Sequence, residues 1–413
     1  MEVDHTLCAR WPVAASVAST TLLHTSLCHP PTRRQQVLRA HLTTHHTTAT
    51  STGSSRGCSG TERVGRSSWL PWEIPAAALL RPQPAQSLRT PPEQHPLARL
   101  ARHEVPALVV RNLLSKESCS QALCEIARRQ AFGSDFLDAI DLPPGTLSSD
   151  VGPADEGPDA VKTFPGDGRI GARGDGSWEG QLWYIGTSFG RLANKNRQSF
   201  FEESKATNQF FADAWQSRGG RSGCAACSQQ NSDPLSAMQH TLAALSGWHK
   251  RASVAVEPDD GSAYGAAILR CYKPMAQCHA LHFDSVRQVS MKRSGGVADW
   301  EVGRFETQLA AVLLLNAPDE SSGKVNDATL FRCEGGSEYA NELRRLGSPA
   351  LRRQAATRRR VDVADVTLGV GDMYVFKADA LHEVPGFGGT KARVVLASFV
   401  AYSRDRSELM CWA

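Results

Sequence analysis

From Tyr264 to Tyr402 the chain alternates short apolar runs with turn-forming residues. The runs "YGAAILRCY", "ETQLAAVLLLNA", "DATLFRC", "VTLGVGDMYVFKA" and "RVVLASFVAY" are separated by Gly, Asp, Asn or Pro, and each reads as a strand. Upstream the period becomes helical. "VPALVVRNLLSKESCSQALCEIARRQ" predicts a short buried strand and then a helix, with Ser115 as N-cap and Cys119, Ala122, Leu123 and Ile126 on one face. "RQSFFEESKATNQFFADAWQ" and "DPLSAMQHTLAALSGWHK" predict two further helices. The second is opened by Asp233 and Pro234, with Leu235, Met238, Leu242 and Leu245 at three- and four-residue spacing. Helices followed by strands predict an α+β fold, mainly β with supporting helices, in which a sheet sandwich or barrel is buttressed by helices.

The remaining segments differ in composition. Between His5 and Thr61 there is no Asp or Glu, and Ser, Thr and Arg abound, so residues 1–61 resemble an organelle transit peptide, or else form a disordered tail. A plastid or mitochondrial location is the expectation, with the cytoplasm as the alternative. Residues 62–102, rich in Pro and Arg, read as a linker or a surface-hugging arm. Residues 103–263 read as a helical support region and 264–413 as a β core, the two together forming one domain. Inside the support region the stretch from Phe132 to Gly180, dominated by Gly, Asp and Pro, reads as a long loop or lid. The Arg-rich stretch Ser337–Arg360 reads as a solvated insertion.

Charge and cysteine usage narrow the function. A net charge of +4 over 413 residues, with Lys and Arg scattered, argues against nucleic-acid binding. No apolar run reaches transmembrane length. Eleven cysteines without a disulfide-like spacing fit a reducing compartment. The single CxxC, Cys224 and Cys227, falls in a loop pattern.

The chemistry concentrates in "CHALHFDS". His282 and Asp284 are two apart beside a strand pattern, so in extended backbone both side chains share a face. A third ligand is offered by His382, at the end of another apolar strand. Two imidazoles and one carboxylate make the facial triad that suits non-haem Fe(II) and leaves positions open for a co-substrate and dioxygen. His279 competes for the first place, but it is five residues from Asp284 and falls on the opposite face of an ideal strand. Eleven residues after His382, Arg393 heads a strand apolar on both faces. An arginine pointing into that sheet needs an anion, which a dicarboxylate co-substrate could supply as a bidentate partner, whereas an arginine at the strand edge reaches solvent.

The order strand, His-x-Asp, several strands, His and then Arg resembles the Fe(II)/2-oxoglutarate-dependent dioxygenase superfamily, and most nearly its prolyl 4-hydroxylase-like branch. "VPALVVRNLLSKESC", "LRCYKPMAQCHALHFD" and "LAAVLLLNAPDE" carry the likeness, which covers about residues 105–403. The resemblance implies a double-stranded β-helix, a cupin-like jelly roll with iron at its mouth. It implies that His282, Asp284 and His382 hold Fe(II) and that Arg393 holds the distal carboxylate of 2-oxoglutarate, helped by Tyr272 or Thr329. It further implies hydroxylation of an unactivated C–H bond, with O2 consumed and succinate and CO2 formed; ascorbate is a candidate reductant.

Departures from that branch bear on the substrate. His279 stands where a Tyr is common, Arg393 where a Lys is common, and "NDATLF" is a degenerate form of a Gly-Gly motif. Halogenating members replace the carboxylate ligand by a small residue, whereas Asp284 is present. The substrate is expected to be a small molecule or a peptidyl side chain, with Trp178, Trp183 and Tyr184 as candidate pocket residues. Two other classes remain open: a catalytically silent jelly-roll binding module, and a zinc or redox protein centred on Cys224 and Cys227.

Overall fold

The computed structural model describes residues 69–79, 91–128, 140–142, 164–165, 182–186, 197–215, 233–272, 274, 279–287, 300–319 and 326–413. The chain divides into residues 1–64 and 65–413, and every described residue belongs to the second unit. The suspected targeting segment, Trp178, the Cys224/Cys227 pair and most of the 132–180 stretch lie outside the described residues.

The first strands are β1 (Trp72–Pro75), β2 (Ala107–Arg111), β3 (Phe164–Pro165), β4 (Leu182–Ile185) and β5 (Arg251–Val254). The core strands are β6 (Ile268–Tyr272), β7 (His279–His282), β8 (Thr307–Asn316), β9 (Ala328–Glu334) and β10 (Val363–Val366). They are completed by β11 (Met373–Lys377), β12 (Ala380–Val384), β13 (Arg393–Tyr402) and β14 (Glu408–Trp412). The helices are α1 (Ala76–Leu79), α2 (Pro96–Ala101), α3 (Lys116–Arg128), α4 (Arg197–Trp215), α5 (Pro234–Leu245), α6 (Glu338–Arg345) and α7 (Pro349–Arg358).

Period-two alternation sets the layers. Along β8, Leu309, Ala311, Leu313 and Leu315 enter one buried cluster, while Ala310, Val312 and Leu314 enter another. β13 divides in the same way, with Val394 and Leu396 on one face and Val395 and Ala397 on the other. Both strands are therefore covered on two sides, which is why their sequences read as continuous apolar runs. They lie at the centre of a ten-stranded sheet ordered β1-β2-β11-β8-β13-β6-β4-β3, with β14 beside β13 and β5 beside β14. A second sheet, β10-β9-β12-β7, has four strands.

The outer face of the large sheet packs on the helices, through Leu97 and Leu100 of α2, Cys119 and Leu123 of α3, Phe211 of α4 and Met238 and Leu242 of α5. α3 starts as expected, with the Ser118 N–H donating to Ser115 Oγ at 3.1 Å. In α5, Asp233 accepts from the backbone N–H groups of Leu235 and Ser236. The inner face looks across the second buried cluster to the small sheet, and the result is the double-stranded β-helix with supporting helices that the sequence implied.

Two expectations are corrected. The Pro/Arg-rich stretch is more than a linker: β1 pairs in parallel with β2, and α2 buries Leu97 and Leu100 completely. Its apolar residues sit between prolines that start the helix rather than break it. The 337–360 stretch is not a solvated insertion either. Its helices α6 and α7 roof the outer face of the small sheet, where Leu343 and Ala356 pack with Phe331, Leu281 and Leu381. The Arg352 Nη2 to Glu383 Oε2 contact, at 2.5 Å, fastens α7 to β12. Among the described residues no helix is long and apolar enough to cross a membrane.

Candidate metal centre

β7 and β12 run antiparallel with His282 directly opposite His382. Facing residues of an antiparallel pair lie close together, and the two imidazole centroids are 4.2 Å apart. Past the end of β7 the Asp284 N–H donates to the Ala378 carbonyl at 2.8 Å. This bond holds the strand exit against the β11–β12 turn and points the carboxylate back toward the histidines. Asp284 Oδ2 lies 3.7 Å from His282 Nε2 and 3.6 Å from His382 Nε2. One potential ligand atom from each residue falls within 4.8 Å of the others.

The tautomers suit a metal. His282 Nδ1–H donates to the Ala280 carbonyl at 2.6 Å and His382 Nδ1–H to the Ala380 carbonyl at 3.0 Å. A carbonyl can only accept, so each Nδ1 carries a proton and each Nε2 is the ring nitrogen left to face the site. Burial, with the His382 charge next, pulls His282 down to about 4, which keeps that imidazole neutral in ordinary buffers. Burial opposes ionisation of Asp284, but His282 and His382 outweigh it and hold the carboxyl well below the usual carboxylate range. Two imidazoles and a carboxylate are the donor set for non-haem Fe(II), with room for further ligands on the cavity side.

Residue 283 explains the facing of its neighbours. Phe283 points away from the site and lies against Gly335, where an added Cβ would come within 2.0 Å of the ring. With that ring fixed outside, His282 and Asp284 face inward.

The cavity behind the triad is walled by Tyr272, Val312, Tyr374, Phe376, Val395 and Ala397 among others, and it also contains Arg270, His279 and Arg393. Arg393, at the start of β13 opposite Tyr272, is 2% exposed. Its Nε lies 3.2 Å from Asp327 Oδ1, and its guanidinium carbon is 5.8 Å from the Tyr272 ring. Burial raises Asp327, and the Arg393 charge counters that rise. The guanidinium also hydrogen-bonds Tyr374, and both side chains line the cavity, so its charge is presented there. Asp327 was not foreseen, although its place beside Thr329 in "NDATLF" is where the family motif departs.

His279 and Thr329 are not where the sequence put them. The register of β7 against β12 shifts between His382 and Val384, a bulge that turns His279 into the same cavity as His282. There His279 Nε2 lies 2.9 Å from the Tyr272 hydroxyl, so it partners Tyr272 and stays outside the ligand cluster. Thr329 is a correction: it is buried on the outer face of β9, donates to Asp365 at 2.8 Å and accepts from Arg353 at 3.0 Å. Alternation along β9 decides this, because Ala328 and Leu330 take the inner face. Tyr184 is buried in the inner cluster, and the side chain of Trp183 lies outside the described residues.

Residues 187–413 match the family described as carrier-protein-independent halogenase WelO5. The chain belongs to this family. The WelO5 family lies within the Fe(II)/2-oxoglutarate-dependent superfamily, whose two-histidine, one-carboxylate donor set the cluster fits. No curated protein matches the chain. Among solved structures, an N-substituted L-amino acid dioxygenase from Burkholderia ambifaria AMMD aligns with TM-score 0.36 and 15% identity, over 57% of this chain and 87% of that one. The non-heme alpha-ketoglutarate-dependent epimerase SnoN from nogalamycin biosynthesis aligns with TM-score 0.28 and 12% identity, over 79% and 89%. A prolyl hydroxylase in complex with a hypoxia inducible factor peptide fragment, from Trichoplax adhaerens, aligns with TM-score 0.28 and 10% identity, over 77% and 90%.

Proposed function

We propose that this member of the WelO5 family is a hydroxylase: it inserts oxygen into an unactivated C–H bond of a small molecule or peptidyl side chain. The observation that carries this reading is the third ligand. Asp284 fills the position that halogenating relatives leave to a small residue, and it is drawn to both histidines. When bound, Fe(II) with 2-oxoglutarate and dioxygen supplies the oxidising power, and the co-substrate leaves as succinate and CO2.

The chain's own share is orientation and exclusion of water. His282, Asp284 and His382 would hold the metal. Arg393, held by Asp327, receives the far carboxylate of 2-oxoglutarate. Tyr272, coupled to His279, offers a hydroxyl along the same wall. Val312, Phe376, Val395 and Ala397 keep the walls between these groups apolar.

The test separates hydroxylation from halogenation without the natural substrate. Iron-loaded protein given 2-oxoglutarate and oxygen forms succinate, Asp284→Ala does not, and added chloride leaves the visible spectrum of the anaerobic iron and 2-oxoglutarate complex unchanged. A saturable chloride-dependent change in wild type would overturn the hydroxylase assignment in favour of the halogenase reading.

A further inference from the structure

Arg270 is the cation of the cavity that the proposed chemistry does not use. It occupies the middle of β6, opposite Val395 of β13 and Tyr184 of β4, with the same strand parity as Tyr272. It lines the cavity together with the triad and is partly buried. Its charge reaches the site: it bears on His279, His282 and Asp284, lowering each.

The balance of charge around it is uneven. Arg393 has Asp327 at 3.2 Å, and Asp284 is committed to the two histidines. Arg270 has no hydrogen bond or ion pair among the described residues, and among the described residues lining that cavity Asp284 supplies the side-chain carboxylate, with Ala413 also on the wall. A guanidinium in an apolar-walled cavity that no described side chain pairs is costly unless a ligand brings an anion. Its planar fork suits a carboxylate held by two hydrogen bonds.

We propose that Arg270 is a second carboxylate-binding cation of the cavity, distinct from the Arg393–Asp327 pair. The carboxylate comes either from 2-oxoglutarate, whose distal end Arg270 then shares with Arg393, or from the primary substrate, which is then an acid. The inference rests on the iron and 2-oxoglutarate reading.

The experiment uses the full chain loaded anaerobically with Fe(II), as wild type, Arg270→Gln and Arg270→Lys. One arm titrates 2-oxoglutarate and 2-oxovalerate, which lacks the distal carboxylate, and follows the metal-to-ligand charge-transfer band. The other adds benzoate or N-acetylphenylalanine, and their neutral amides, to the 2-oxoglutarate complex and follows perturbation of that band. If the co-substrate is the source, Arg270→Gln weakens 2-oxoglutarate by about tenfold to a hundredfold and leaves 2-oxovalerate unchanged. If the primary substrate is the source, 2-oxoglutarate is unaffected and the acids, but not the amides, perturb wild type and lose that effect in Arg270→Gln. In both cases Arg270→Lys retains part of the effect. A wild-type band with Arg270→Gln indistinguishable in both arms overturns the inference alone. No band in iron-loaded wild type overturns the functional reading, and the inference falls with it.

Discussion

His282 and His382 face one another across the β7–β12 pair, each with its Nδ1–H tied to the carbonyl two residues before it. The two imidazoles are thus set by backbone register rather than by a flexible loop. His382→Ala is expected to abolish stoichiometric iron binding while leaving the circular dichroism spectrum intact. His279→Ala, which touches Tyr272 instead, is expected to keep iron near one per chain and to weaken 2-oxoglutarate binding. Metal analysis of the two variants checks both; equal loss of iron would mean that the ligand set is misassigned.

The Arg393–Asp327 pair is nearly inaccessible to solvent, so removing one member leaves the other's charge buried without its counter-ion. Asp327→Ala is expected to cost about 3–5 kcal/mol in denaturant unfolding. The double variant Arg393→Met with Asp327→Leu is expected to recover most of that stability, because volume is restored without charge, yet to bind no 2-oxoglutarate. Recovery of binding in the double variant would show that the carboxylate is held elsewhere.

Gly335 is required by a close approach. A side chain there meets the Phe283 ring, and Phe283 stands between His282 and Asp284 of the candidate metal cluster. Gly335→Val is expected to destabilise the fold by about 1–3 kcal/mol and to lower iron affinity at least tenfold. Unchanged affinity in a folded Gly335→Val protein would show that the outward seating of Phe283 does not position Asp284.

Asp379, in the β11–β12 turn, is raised to about 6 by burial, against the pull of Lys377 at 3.8 Å. A folded value above the ordinary 3.8 means that the ionised form is disfavoured by folding. The stability this group contributes is full below about pH 4 and is lost as pH rises through 6. Asp379→Asn is therefore expected to raise the melting temperature at pH 7.5 and to change it little at pH 4, which thermal unfolding at the two pH values measures. A lower melting temperature at pH 7.5 would contradict the shift.

The core strands and the triad were legible because both depend on period two. Apolar runs covered on both faces announce a central strand, and a His-x-Asp pair keeps its facing whatever the register. Three features depended on pairing that the sequence does not display. The bulge that swings His279 inward arises between β7 and β12, and Thr329 faces outward because the pairing of β9 sets Ala328 and Leu330 on the inner face. The ion pair of Arg393 joins residues of β13 to the segment just before β9, far apart in the chain. Arg270 was available to the same parity argument as Tyr272, two residues along β6, but a lone Arg within an apolar run carries no signal until the cavity is seen.

The most direct test of the central claim is an anaerobic titration of iron-loaded protein with 2-oxoglutarate, followed by the weak visible metal-to-ligand charge-transfer band. A saturable band in wild type, absent in Asp284→Ala and greatly weakened in Arg393→Ala, is the expected result. A folded, iron-loaded wild type that gives no band would contradict the account and leave the jelly roll as a binding module.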